Sequence, residues 1–107
     1  MPRPVRGSVT GRPIMVLLDL LGRRWSLRVL WELRAEPLSF RALQERCGDV
    51  SPSVLNVRLA ELREAGLIAT TEQGYALTVQ ARALGELLMP LDAWAERWAA
   101  SRLRARR

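Results

Sequence analysis

The chain has 107 residues and a formal charge of +6 from seventeen arginines and eleven acids, with no lysine, no histidine and a single cysteine. A chain of that length builds one compact core and buries roughly two-thirds of the surface its unfolded form exposes. Lacking histidine and a second cysteine, it offers no zinc ligand set and no internal disulfide framework, so no metal or cofactor is expected.

The charge is unevenly placed. Residues 1–12 contain Arg3, Arg6 and Arg12 with no acid, and residues 101–107 contain Arg102, Arg104, Arg106 and Arg107 with none. Residues 13–100 hold ten arginines against eleven acids, a net −1, so the excess sits on two basic ends of a near-neutral domain. The exclusive use of arginine fits a GC-rich genome as well as any selected binding chemistry.

The Pro, Gly, Ser, Thr and Arg mixture of residues 1–12 has little to bury and reads as a mobile basic arm. Pro13 suits the first turn of a helix whose Ile14, Met15, Val16, Leu17, Leu18, Leu20 and Leu21 cover nearly every side before Gly22 ends it. That run contains Asp19 and is less than half the roughly 20 residues needed to cross a bilayer, so no membrane partner is expected and a reducing cytoplasm fits. A small monomer cannot cover such a helix all round, which predicts contact with a second copy of the chain.

A second helix, about Trp25 to Ala35, spaces Leu27, Leu30, Trp31 and Arg34 at three and four residues, with Val29 and Leu33 widening the apolar face. Ser39 caps a short third helix, with Phe40, Leu43 and Cys47 inward, ending at Gly48. A connection of Gly48, Asp49 and Val50 leads to Ser51 as N-cap and Pro52 as first residue of a fourth helix, Ser51 to Ala65, with Gly66 as its stop. Its Val54, Leu55, Leu59, Leu62 and Ala65 form the inner face. Ser53, Asn56, Val57 and Ala60 lie about 180° away.

Leu67 to Thr70, a turn at Glu72 to Gly74, and Tyr75 to Leu77 read as a short hairpin. Thr78 then caps a long last helix in which Leu84, Leu87, Leu88, Leu91, Trp94 and Trp98 recur at helical steps, with Pro90 near its middle. The expected fold is mainly α, within the α+β class: a winged helix-turn-helix over residues 13–100, with a β-hairpin wing and a C-terminal dimerisation helix.

In that arrangement the second helix of the pair enters the major groove. Small Ser53, Asn56 and Val57 suit close approach to base edges, and Asn56 has the amide geometry to pair with adenine. The helix start at Ser51 and Pro52 offers amide groups and a dipole to a phosphate. Arg41 and Arg63 project outward as phosphate partners; Arg58, at the edge of the inner face, is placed equally to reach a phosphate or to pair with an acid nearby. The wing tip, Thr70 to Gly74, has one acid and no arginine, leaving Gln73 as its plausible contact. The basic ends read either as solubilising tails or as alternative minor-groove arms. Cys47, on an inward stripe, reads as a small apolar residue.

Leu-Asp-Leu-Leu-Gly-Arg-Arg-Trp from Leu18, Ser-Pro-Ser-Val-Leu-Asn-Val-Arg-Leu from Ser51 and Tyr-Ala-Leu-Thr from Tyr75 together resemble the HxlR-type family, over about residues 13–98. The resemblance implies a bacterial winged-helix regulator, dimeric through its first and last helices, with the Ser-Pro helix in the major groove. Ile14, Leu17, Leu18 and Leu21, with Leu84, Leu87, Leu88, Leu91, Trp94 and Trp98, would then form the dimer contact. Many relatives carry a cysteine just before the first-helix proline, where this chain has Arg12, so thiol sensing there does not carry over. Trp94 and Trp98, one turn apart, also suit a subunit pocket for a flat apolar effector.

The leading expectation is a homodimer that binds a double-stranded DNA operator and represses by occlusion. The alternative is a winged-helix protein-protein interaction module, which a near-neutral body and an acid-bearing wing would suit. An enzyme is not expected, since no nucleophile is placed beside a base and no glycine loop cradles a phosphate.

Overall fold

The computed structural model describes residues 11–105; the expected arm at residues 1–12 therefore lies almost wholly outside the described residues. Five helices and one hairpin follow in the order α1 (Pro13–Leu21), α2 (Ser26–Glu32), α3 (Phe40–Cys47), α4 (Pro52–Glu64), β1 (Ile68–Thr71), β2 (Gly74–Leu77) and α5 (Val79–Ala105). The element order matches the sequence reading. The bounds of α1 and α3 match as well; the largest shifts are at α2, which stops three residues early, and at α5, which continues helically through residues 101–105.

The core is built where α1, α2, α3, α4 and the hairpin meet. Val29, Leu33, Leu43, Leu55, Leu62 and Ile68 are almost wholly buried, and Leu20, Leu21, Leu30, Cys47 and Leu59 close around them. The inward face of α2 differs from the one its spacing suggests. On α2 the buried residues are Ser26, Val29 and Leu30, while Leu27 and Trp31 are exposed, because the face toward α3 and α4 is turned by the abrupt start of the helix. That start is Trp25, with φ of +80°, a left-handed backbone that a side-chain-bearing residue adopts at a cost of about 1–2 kcal/mol. Its ring packs on the core and carries the Arg24 guanidinium at 5.3 Å.

Leu21, expected in the dimer contact, is instead packed in the core of its own protomer. It is 7% exposed as the last residue of α1, because the Gly22–Trp25 connection folds that end of the helix under α2. The outer end of α1 is different: Ile14, Met15 and Leu18 are exposed, and Leu17 is half-buried against the core.

The hairpin is antiparallel, with Ile68 opposite Leu77, Ala69 opposite Ala76, Thr70 opposite Tyr75 and Thr71 opposite Gly74. Leu38 adds a third backbone rung, donating to Tyr75 O at 3.0 Å and accepting from Tyr75 N at 2.8 Å. The rung ties the hairpin to the entry of α3. Gly74 is required there: its φ is +118°, and a Cβ would stand 2.4 Å from the Leu38 carbonyl oxygen.

Thr78 joins the hairpin to α5 by donating to Gly66 O at 2.7 Å and capping Ala81 N at 3.1 Å. Only the first turns of α5 touch the domain. Ala81 is buried and Leu84, Gly85 and Leu88 are half-buried; from Met89 to Ala105 every described residue is exposed.

Candidate nucleic-acid interface

Helix α4 is fixed from three sides. Ser39 caps α3 by accepting from Ala42 N at 3.1 Å, and Gly48 closes it with φ of +83°. Gln44 Nε2 donates to Val50 O at 3.3 Å, which braces the turn between α3 and α4. Ser51 then accepts from Val54 N at 3.3 Å with Pro52 behind it, so the expected cap is present and no amide is lost at that position. Leu55, Leu59 and Leu62 bury the inner face.

Opposite them Ser53, Asn56, Val57 and Ala60 are all exposed, and Ser51 and Pro52 are exposed at the helix start. Ser53, Asn56 and Val57 thus share one open face, and Ser51 and Pro52 stand exposed at the helix start beside it. Val57 is 51% exposed and so is not a core residue. Arg41, on α3, is 89% exposed at its side chain and only loosely paired with Glu45 at 3.5 Å.

Arg63, near the end of α4, donates through Nη1 to Thr70 Oγ1 at 3.2 Å and so bridges the helix to the hairpin. The hairpin tip is tightened by Thr71, whose hydroxyl donates to Gly74 O at 2.8 Å and accepts from Gln73 N at 3.2 Å. Glu72 and Gln73 stand exposed at the tip.

Arg58 is placed otherwise than in the expected DNA-contacting set. Its Nε donates to Arg24 O at 2.7 Å and its Nη1 to Glu61 Oε1 at 2.8 Å, leaving the side chain 20% exposed. Of its two sequence-level alternatives, the pairing with a nearby acid is the one realised, because Arg58 lies on the flank of α4 facing the α1–α2 connection. The partner network of Arg23 with Glu61 had no signal in the sequence: those residues are 38 positions apart and each alone resembles a surface charge.

Trp94 and Trp98 stack on each other, centroids 6.1 Å apart, with Arg102 over Trp98 at 5.1 Å, on the exposed part of α5. An apolar hollow of about 500 Å³ lies between α2 and the first half of α5, lined by Leu27, Trp31, Leu84, Leu88 and Leu91 among others. Leu27 and Trp31, turned out of the core, are what create it. Cys47 is buried at the α3 end, and that burial pushes its thiol above the usual range; nearby Arg28 works against the shift and Glu32 with it.

A helix pair joined by a short turn, an exposed small-residue face on its second member and a wing directly after it define a winged helix-turn-helix DNA-binding protein. Comparison with known proteins gives the particular group. The model of HxlR-like helix-turn-helix proteins matches residues 20–102, and the chain belongs to that family.

Solved structures agree with this. The chain is similar to quinone-bound YodB from B. subtilis, at 27% identity over 78% of this chain and 96% of that one, with a TM-score of 0.73. A MarR-family transcriptional regulator from Enterococcus faecalis V583 aligns at 26% identity over 85% and 89% of the two chains, TM-score 0.73. An HxlR-family transcriptional factor, so described as possible, from Thermoplasma volcanium GSS1 shares the fold at 22% identity over 82% and 85%, TM-score 0.72. No curated protein matches the sequence. The family is one of transcription regulators and not of enzymes. Among the described residues no helix is long and apolar enough to cross a membrane.

Proposed function

We propose that the chain is a homodimeric repressor that reads a double-stranded DNA operator with α4. The observation that carries this reading is the exposed face of Ser53, Asn56, Val57 and Ala60 on α4, with Arg41 of α3 and Arg63 of α4 also exposed. Small side chains let a helix approach base edges, and Asn56 supplies the donor and acceptor pair that matches adenine. The exposed helix start at Ser51 and Pro52, together with Arg41 and Arg63, holds phosphates, and Gln73 at the wing tip reaches the neighbouring backbone or minor groove. Arg58 serves by bracing α4 and not by touching DNA.

The dimer contact combines Ile14, Leu17 and Leu18 of α1 with Leu87, Leu91, Trp94 and Trp98 of α5. Leu18, Leu87, Leu91 and both tryptophans are exposed in the protomer, large apolar side chains that contact with a second copy would cover. Leu84 and Leu88 stand at its edge, already half-covered by their own domain. A small apolar effector belongs to the same reading, supported by the quinone-bound relative and by the hollow between α2 and α5.

Band-shift titration on the protein's own promoter region, over a series of salt concentrations, tests the proposal. Affinity is expected to fall steeply as salt rises, and Asn56→Ala to weaken specific binding by about 1–3 kcal/mol. The absence of any specific DNA site would instead indicate a protein-association module. Unchanged affinity and preference in Asn56→Ala would remove that residue from the reader.

A further inference from the structure

Helix α1 carries part of the proposed dimer contact and α4 the proposed groove contact, and one cluster of charges joins them. Asp19 of α1 lies 3.7 Å from Nη2 of Arg23 in the α1–α2 connection. Arg23 Nη1 donates to Glu61 Oε2 on α4. Arg58 Nη1 donates to the other oxygen of that carboxylate at 2.8 Å, while its Nε is held by Arg24 O at 2.7 Å. Each oxygen of Glu61 is therefore used by a different guanidinium, and the four side chains are between 20% and 30% exposed.

Apolar packing of Leu20 and Leu21 under α2, and of Leu55 and Leu59 below α4, holds the helices close. It is non-directional and leaves a helix free to roll by small steps. Charged hydrogen bonds of fixed geometry set direction. We infer that Glu61 is a positioning residue: by clamping α4 to the α1–α2 connection it fixes the roll of the reader relative to the dimer contact, and so sets the operator half-site spacing that the dimer accepts. The inference rests on the proposed roles of α4 and α1.

In a two-fold dimer each reader is carried on its own dimerisation helix, so the angle within one protomer is doubled into the separation and twist of the two readers. One inserted base pair moves the second half-site by about 3.4 Å along the duplex and turns it by about 35°. A reader held in direction rejects that change, and one able to roll tolerates it.

The test compares operators of native spacing with operators carrying one base pair inserted or deleted. Glu61→Gln keeps the side-chain size and removes the charge; Arg23→Gln cuts the clamp from the other end and leaves Arg58 on Glu61. Wild type is expected to bind altered spacings roughly tenfold or more weakly. Both variants are expected to lose roughly three- to tenfold at native spacing and to show a smaller ratio between native and altered spacings, with unchanged dimer mass and circular dichroism. A folding defect lowers binding at every spacing by one factor, so an unchanged ratio, at full or reduced affinity, overturns the inference. If wild type shows no operator preference, or Asn56→Ala keeps it in full, the fault lies in the reading of α4 and the inference falls with it.

Discussion

Gly74→Ala places a methyl group at the point where the hairpin meets the entry of α3. The new Cβ would stand 2.4 Å from Leu38 O, 2.6 Å from Leu38 C and 2.9 Å from Ser39 N, all backbone atoms that no side-chain rotation can move aside. Relief requires opening the Leu38–Tyr75 rung, with its hydrogen bonds of 3.0 and 2.8 Å. At about 1 kcal/mol net for each bond, and about 1 kcal/mol for a non-glycine residue at positive φ, the expected loss is roughly 3 kcal/mol. For a domain of this size that lowers Tm by roughly 10–20 °C. Thermal melts followed by far-UV circular dichroism, at one fixed protein concentration because a dimer's stability depends on it, measure the change. A Tm within a few degrees of wild type would show that the rung is not held as described.

Ser51→Ala removes the cap on Val54 N and is expected to cost about 1 kcal/mol, a Tm fall of roughly 4–8 °C, whereas Asn56→Ala, on the open face of α4, leaves Tm unchanged and acts only on DNA binding. Replacing Trp94 and Trp98 together by alanine removes two exposed aromatic faces and is expected to raise the dimer dissociation constant roughly tenfold or more, read by sedimentation equilibrium. Leu21→Ala, by contrast, is expected to destabilise the protomer by about 2–5 kcal/mol, seen in urea unfolding, without acting chiefly on dimer mass. The Cys47 thiol, raised by burial, is expected to resist alkylation at pH 8 until urea exposes it. Because the folded chain keeps that proton after the unfolded chain has lost it, the associated stability is whole below the ordinary thiol range. It declines as pH rises through that range, which urea titrations at increasing pH will show.

The helices, the hairpin and the face of α4 were legible because each is a local pattern. Ser39, Ser51 and Thr78 are caps whose partners lie three residues on, and Leu55, Leu59 and Leu62 repeat at the helical period. What failed in the sequence failed where two segments meet. Leu27 and Trp31 lie on a convincing stripe of α2, yet the left-handed turn at Trp25 sets the roll of that helix and faces them toward α5. Leu21 looks like its neighbour Leu18 in an apolar run, but one end of α1 is tucked under α2 and the other is not. Arg58 could have faced DNA or an acid, and only the approach of the α1–α2 connection decided it.

The sequence by itself thus determined the order of elements, the capped start of the reading helix and its small outward side chains, since these follow from residue spacing along one chain. The tertiary structure decided which apolar faces remain uncovered, which arginines are spent within the protomer and how α4 is clamped to the rest. Those depend on distances between residues far apart in the chain, such as Arg23 and Glu61, and no periodicity encodes them.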